Sequence, residues 1–121
     1  MLKAQPSANV RVLVVWEPVL PTDWGRPNPT LAAIIRDARA IQFWDHDRRL
    51  SALLGGPGKL ETLAHVELVG FRMKDVIWDS ALVYPPGAAW GSAAELVMAP
   101  VVRFPNELTR AIARQTTQTI P

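Results

Sequence analysis

The run Val10-Arg11-Val12-Leu13-Val14-Val15-Trp16 constrains this chain more than any other segment. Its β-branched side chains are stiff at the first torsion and suit a pleated strand better than a helix. A nearly continuous apolar run, without polar alternation, is the pattern of a strand buried on both faces, as at the centre of a parallel sheet. Such a strand needs a layer above and a layer below it, which predicts an α/β architecture.

The segments that follow supply those layers. Residues 17–29 contain Pro18, Pro21, Gly25, Pro27 and Pro29 and predict a long loop. Thr30 is placed to start a helix over 30–39, with Leu31, Ile34, Ile35 and Ala38 on one face. Ile41-Gln42-Phe43-Trp44 alternates as a short strand. Asp45 is a good N-cap for a second helix over 46–54, with Leu50, Leu53 and Leu54 facing inward. Gly55-Gly56-Pro57-Gly58 stops that helix. In 59–77, Leu60, Leu63, Ala64 and Leu68 suit a helix, whereas Val66 to Phe71 equally suits a strand. Ser80 to Gly91 reads as a β-hairpin turning at Pro85-Pro86-Gly87, and 92–104 carries no decisive pattern. Asn106 caps a last helix over 106–115, with Leu108, Ala111 and Ile112 on one side. Residues 1–9 read as a lead-in and 116–121 as a frayed tail. Strands and helices in this order predict a mixed sheet with helices on its faces, formed by one domain over 1–121.

Composition removes several function classes. The 121 residues include no cysteine, so the chain cannot perform thiol redox chemistry by itself. Lys and Arg number 13 against 11 Asp and Glu, and opposite charges alternate along the chain. A nucleic-acid surface would need a clustered basic stripe, so no nucleic-acid partner is expected. No apolar run approaches the roughly 20 residues that span a bilayer, so no membrane partner is expected either. Met1 to Val10 lacks a signal-peptide pattern, which predicts a cytoplasmic location if Met1 is the natural start. The chain holds no G-x-S-x-G, P-loop, G-x-G-x-x-G or H-E-x-x-H, and its sequence asks for no cofactor and no metal.

Two polar groups are candidate chemistry. Glu17 and Asp23, with Trp16 and Trp24, lie directly after the buried strand, where ligands of open α/β sheets tend to bind. Asp45-His46-Asp47 after Trp44 joins carboxylate to imidazole, the residue types of an acid–base pair or a divalent-metal site. Adjacent residues rarely converge on one ion, and a helix N-terminus capped by Asp45, with Asp47 favoured by the helix dipole, accounts for the same residues. Trp16 and Trp24 can equally be core aromatics beneath a rigid loop. His65 sits among apolar neighbours as a hydrogen-bonded, partly buried imidazole would. The five tryptophans, Trp16, Trp24, Trp44, Trp78 and Trp90, suit either ordinary packing or a subunit interface.

In this order of elements, residues 10–115 resemble the later part of a thioredoxin-like domain of the peroxiredoxin and TlpA-type branches. Val10 to Trp16 is similar to the second buried strand of such domains. Ile41 to Asp47 is similar to the short strand with its Asp-x-Asp turn, and Ser80 to Gly91 to the antiparallel hairpin. The first strand and helix, which bear the redox cysteine, have no counterpart, and Trp78-Asp79-Ser80 stands where a proline is usual. The resemblance therefore implies an incomplete thioredoxin-like mixed sheet lacking its cysteine-bearing β-α unit. It also implies open strand edges that seek a partner. Three arrangements answer that need: a longer protein that supplies the missing strand, a homodimer that closes the sheet, or Val10–Trp16 as the central strand itself. The homodimer is the favoured expectation. The function expected is a non-catalytic domain acting through self-association or through a protein or peptide partner. The alternatives are a fragment of a thioredoxin-like oxidoreductase, or a small hydrolase or metal-dependent enzyme using Asp45 and His46 or Glu17 and Asp23.

Overall fold

The computed structural model describes residues 2–20, 22, 25–55, 76–77, 79–89, 91–98 and 101–117. In chain order these form β1 (Val12–Trp16), α1 (Pro29–Ala32), β2 (Ala40–Trp44), α2 (Arg49–Leu53), β3 (Ala81–Val83), β4 (Leu96–Met98) and α3 (Pro105–Thr117). Single 3₁₀ turns occupy Leu2–Ala4 and Val101–Arg103. The protein is thus a mixed α/β structure with small sheets. Most of the expectations for 59–77 lie outside the described residues.

β1 and β2 pair in parallel, with Val12 opposite Ala40 and Trp16 opposite Trp44. The ladder opens with the Val12 N–H donating to the Arg39 carbonyl at 2.9 Å and closes with Asp45 N–H on the Trp16 carbonyl at 2.8 Å. Val12, Val14 and Trp16 share one face with Ala40, Gln42 and Trp44. The connection between the strands crosses that face and is pinned there by Gln42. Its Nε2 donates to the Ala32 and Ile35 carbonyls at 2.8 and 3.4 Å, while its Oε1 accepts Trp16 Nε1 at 2.9 Å. The opposite face carries Leu13, Ile41 and Phe43, which are 60%, 48% and 49% exposed. β1 is therefore not buried on both faces as its composition predicts, because among the described elements only one face has a covering layer.

Both short helices depart from their sequence patterns for local reasons. α1 starts early, on the Asn28 side chain, which accepts the Leu31 N–H at 2.9 Å, with Pro29 at the first helical position. It ends at Ala32 instead of 39. Asp37 Oδ1 accepts the Arg39 N–H at 3.0 Å, a local turn that competes with helix and directs the chain into β2. Leu31 and Ile34 are consequently exposed. α2 begins at Arg49 because 45–48 form a turn in which Arg48 adopts a left-handed φ of 56°. Leu53 faces solvent, whereas Leu54 packs inward, and Gly55 ends the helix with a φ of 81°.

The hairpin is real but its second arm lies further along. β3 pairs antiparallel with β4, Ala81 opposite Met98 and Val83 opposite Leu96. The predicted arm at 88–91 belongs to a loop. Ala88 N–H donates to the Pro85 carbonyl at 3.2 Å across Pro86 and Gly87, and the Gly87 φ of 76° suits a type II turn. α3 starts at Pro105 rather than Asn106, with the Phe104 carbonyl accepting Leu108 N–H at 3.1 Å. It runs to Thr117, so 116–117 are helical rather than frayed.

The core sits on the hairpin. Its Ala81, Val83 and Met98 side packs with Ala8, Val10, Leu108 and Ile112, so α3 buries the face that its spacing predicts. The other side places Leu82 and Val97 with Leu54, Ile77 and Ala94. Among the described residues the strands form two separate two-stranded sheets, not one mixed sheet. Val10 joins the hairpin core at the start of β1, and Ser51 links the end of β1 to Ile77. Among the described residues β1 and β3 form no ladder with each other.

Candidate functional site

The carboxyl ends of β1 and β2 bring Glu17 and Asp45 together. Each lies one residue beyond a paired tryptophan, Trp16 and Trp44, so strand register alone makes them neighbours. Glu17 Oε1 accepts the Ser51 N–H at 3.1 Å and Oε2 accepts the Ser51 hydroxyl. The Ser51 oxygen in turn accepts the Ile77 N–H at 2.9 Å. Asp45 Oδ2 accepts the Leu50 N–H at 2.8 Å, so Asp45 bonds the first turn of α2 from outside it, and the N-cap position predicted for Asp45 is occupied by Arg48, because residues 45–48 form a turn. Glu17 supplies a second such bond that no local pattern announces. The Arg48 side chain closes the other side, its Nε donating to the Pro18 carbonyl at 2.7 Å.

The two carboxyls shift in opposite directions. Burial pushes Glu17 above its ordinary 4.5, and Asp45 adds to the rise against the pull of the two Ser51 hydrogen bonds. Burial also opposes ionisation of Asp45. The N–H groups of Leu50 and Arg49, the Glu17 side chain and the Arg49 charge together outweigh it and hold Asp45 below 3.8.

His46 is not part of this pair. Its ring Nδ1 lies 3.0 Å from Asp47 Oδ1 on the exposed side, and its ring meets Trp44 edge-on at 6.2 Å. Arg49 Nη2 reaches Asp47 Oδ2 at 3.3 Å, and His46 and Arg49 together pull Asp47 below its ordinary value. Trp16 and Trp44 are half-buried beneath the strand connection. Asp23, Trp24, His65, Trp78 and Trp90 lie outside the described residues. Among the described residues no three His, Asp or Glu side chains converge as metal ligands, and no helix is long and apolar enough to cross a membrane.

Sequence reasoning singled out neither Ser51 nor Arg39. Ser51 is 1% exposed and has no local signal beyond being the one hydroxyl among the leucines of α2. Arg39 engages all five of its donors. Nε and Nη2 hold Asp37 at 2.8 and 2.7 Å, Nη1 bonds the Gln5 and Ala8 carbonyls at 2.8 and 3.2 Å, and Nη2 bonds the Leu2 carbonyl at 3.0 Å. It staples the N-terminal turn to the start of β2, and those engaged donors leave it no valence for a ligand. No family model, curated protein or solved structure matches the chain.

Proposed function

We propose that this chain is a thioredoxin-like α/β domain, without thiol chemistry of its own, that acts by association, with a second copy of itself as the partner. The observation that carries this reading is the apolar face of the parallel pair. Parallel sheets are covered on both faces in nearly all proteins, yet here Leu13, Ile41 and Phe43 stand side by side in solvent. A two-fold dimer covers such a face with a copy of itself.

The element order β1-α1-β2-α2-β3-β4-α3 supports the thioredoxin-like reading, as does the division of the described strands into two sheets. In that family a further strand lies between the counterparts of β1 and β3. The same division suits a second reading, in which a cysteine-bearing segment joins the two sheets and the domain belongs to an oxidoreductase. A catalytic use of Glu17 and Asp45 is less favoured, because both carboxyls already accept N–H groups of α2.

Sedimentation velocity of the purified chain tests the leading reading. A dimer at micromolar concentration that Phe43→Glu converts to monomer is the expected result. A monomer at every concentration, with folded circular dichroism, overturns it.

A further inference from the structure

We propose that the groove between the N-terminal turn and the segment entering β2 binds a phosphate monoester carried on a small apolar body. The groove measures about 430 Å³, a size that suits a small molecule. Leu2 and Pro6 from the N-terminal turn and Ala38 from the approach to β2 give it an apolar lining. The rest of the lining is charged, and its four charged side chains fall into two kinds.

Asp37 and Arg39 are committed to each other and to the fold. Asp37 Oδ1 and Oδ2 accept Arg39 Nε and Nη2 at 2.8 and 2.7 Å, and the same guanidinium holds the Leu2, Gln5 and Ala8 carbonyls. Arg39 therefore fixes the two walls before any ligand arrives, which lowers the ordering cost of binding. Lys3 and Arg36 are uncommitted. Arg36 Nε donates to the Ala33 carbonyl at 2.9 Å, which orients the guanidinium and leaves both Nη groups without a protein partner among the described residues. Lys3 forms no side-chain hydrogen bond or ion pair among those residues.

With Asp37 balanced by Arg39, the groove keeps the positive charges of Lys3 and Arg36 and no acid to answer them. A surface of one sign draws ligands of the other. A phosphate monoester carries about −1.5 to −2 at neutral pH and so answers both cations, whereas a carboxylate answers one. The paired Nη groups of Arg36 suit two phosphate oxygens at once. Bare inorganic phosphate would leave Leu2, Pro6 and Ala38 in water, and a carbon body covers them. The groove stands at the amino end of β2, whereas Glu17 and Asp45 lie beyond the carboxyl ends of the strands. Leu13, Ile41 and Phe43 are not part of its lining, so the site does not rest on self-association.

Heteronuclear NMR of the full chain, titrated with phenyl phosphate, tests this. Saturating amide shifts confined to residues 2–5 and 36–39 are expected in the millimolar range, with Leu108 in α3 unmoved. Lys3→Gln and Arg36→Gln are each expected to weaken binding about fivefold at an unchanged thermal midpoint, since both side chains are exposed. Inorganic phosphate and benzoate are each expected to bind at least about fivefold more weakly than phenyl phosphate. No saturating shift at millimolar phenyl phosphate overturns the site. Equal binding by inorganic phosphate or by benzoate overturns the ligand assigned to it, and unchanged affinity in both variants overturns the part given to the two cations.

Discussion

Leu13 and Ile41 are register partners on adjacent parallel strands, and both lie on the face opposite the strand connection that covers the pair among the described residues. Their neighbour Phe43 extends the strip along β2. A charge at any of these positions leaves the internal packing of the monomer untouched and acts on whatever covers the strip. Leu13→Asp and Phe43→Asp are therefore expected to leave the thermal midpoint of the monomer nearly unchanged. Each is expected to weaken self-association by at least about tenfold, since burying one such side chain contributes about 1.5–3 kcal/mol. Sedimentation equilibrium across a dilution series measures the change.

The hairpin core predicts the opposite division of effects. Ile112 is buried against Met98, Leu108 and Ala8, so Ile112→Ala is expected to cost about 2–5 kcal/mol of folding stability through lost contacts and a residual cavity. Urea unfolding followed by circular dichroism measures it. Leu53→Ala, on the exposed side of α2, is expected to change stability by less than about 0.5 kcal/mol in the same assay.

Arg39 holds the Leu2, Gln5 and Ala8 carbonyls, so Arg39→Lys is expected to free the N-terminal turn, because an ammonium cannot span the same fork. Limited proteolysis is expected to cut near residues 2–8 in the variant well before the wild type. The hydrogen bonds from Arg39 hold Asp37 down at about 2. The stabilisation from this pair is accordingly complete above 3.8 and is lost only as pH falls through about 2, so the wild-type turn is expected to resist cleavage by an acid protease at about pH 3.

A methyl group placed on Gly87 meets nothing within 4 Å, so only the φ of 76° opposes a side chain there. Gly87→Ala is expected to cost about 1–2 kcal/mol, and Gly87→Asn less, because asparagine tolerates the left-handed region. Thermal unfolding of the two variants separates backbone strain from steric exclusion.

The sequence made some of these relationships visible and hid others for physical reasons. β1, β2 and the Leu108-Ala111-Ile112 face were readable because each depends on residues within a few positions of one another. The length of α1 was not, because Gln42 takes the Ala32 and Ile35 carbonyls from ten and seven residues away. The second arm of the hairpin was misplaced because a Gly-containing turn at 85–88 looks sufficient to reverse the chain, whereas the strands meet only across the longer 84–95 loop. Glu17 was recognised as well placed, but its role depends on Ser51, 34 positions later. The homodimer reading draws on the exposed face of the parallel pair, and the oxidoreductase alternative draws on the resemblance and on the two separate sheets of the described strands.

Gln5 Nε2 donates to the Thr109 carbonyl, and Ala8 lies in the same cluster as Leu108 and Ile112, so the two ends of the chain are knit together. On a ribosome adding about 5–20 residues each second, β1 and β2 emerge and can pair early, while the hairpin waits for its lid. Met98 cannot leave water until α3 has been released from the exit tunnel. The hairpin face that carries Met98 therefore stays open on the nascent chain until α3 follows it.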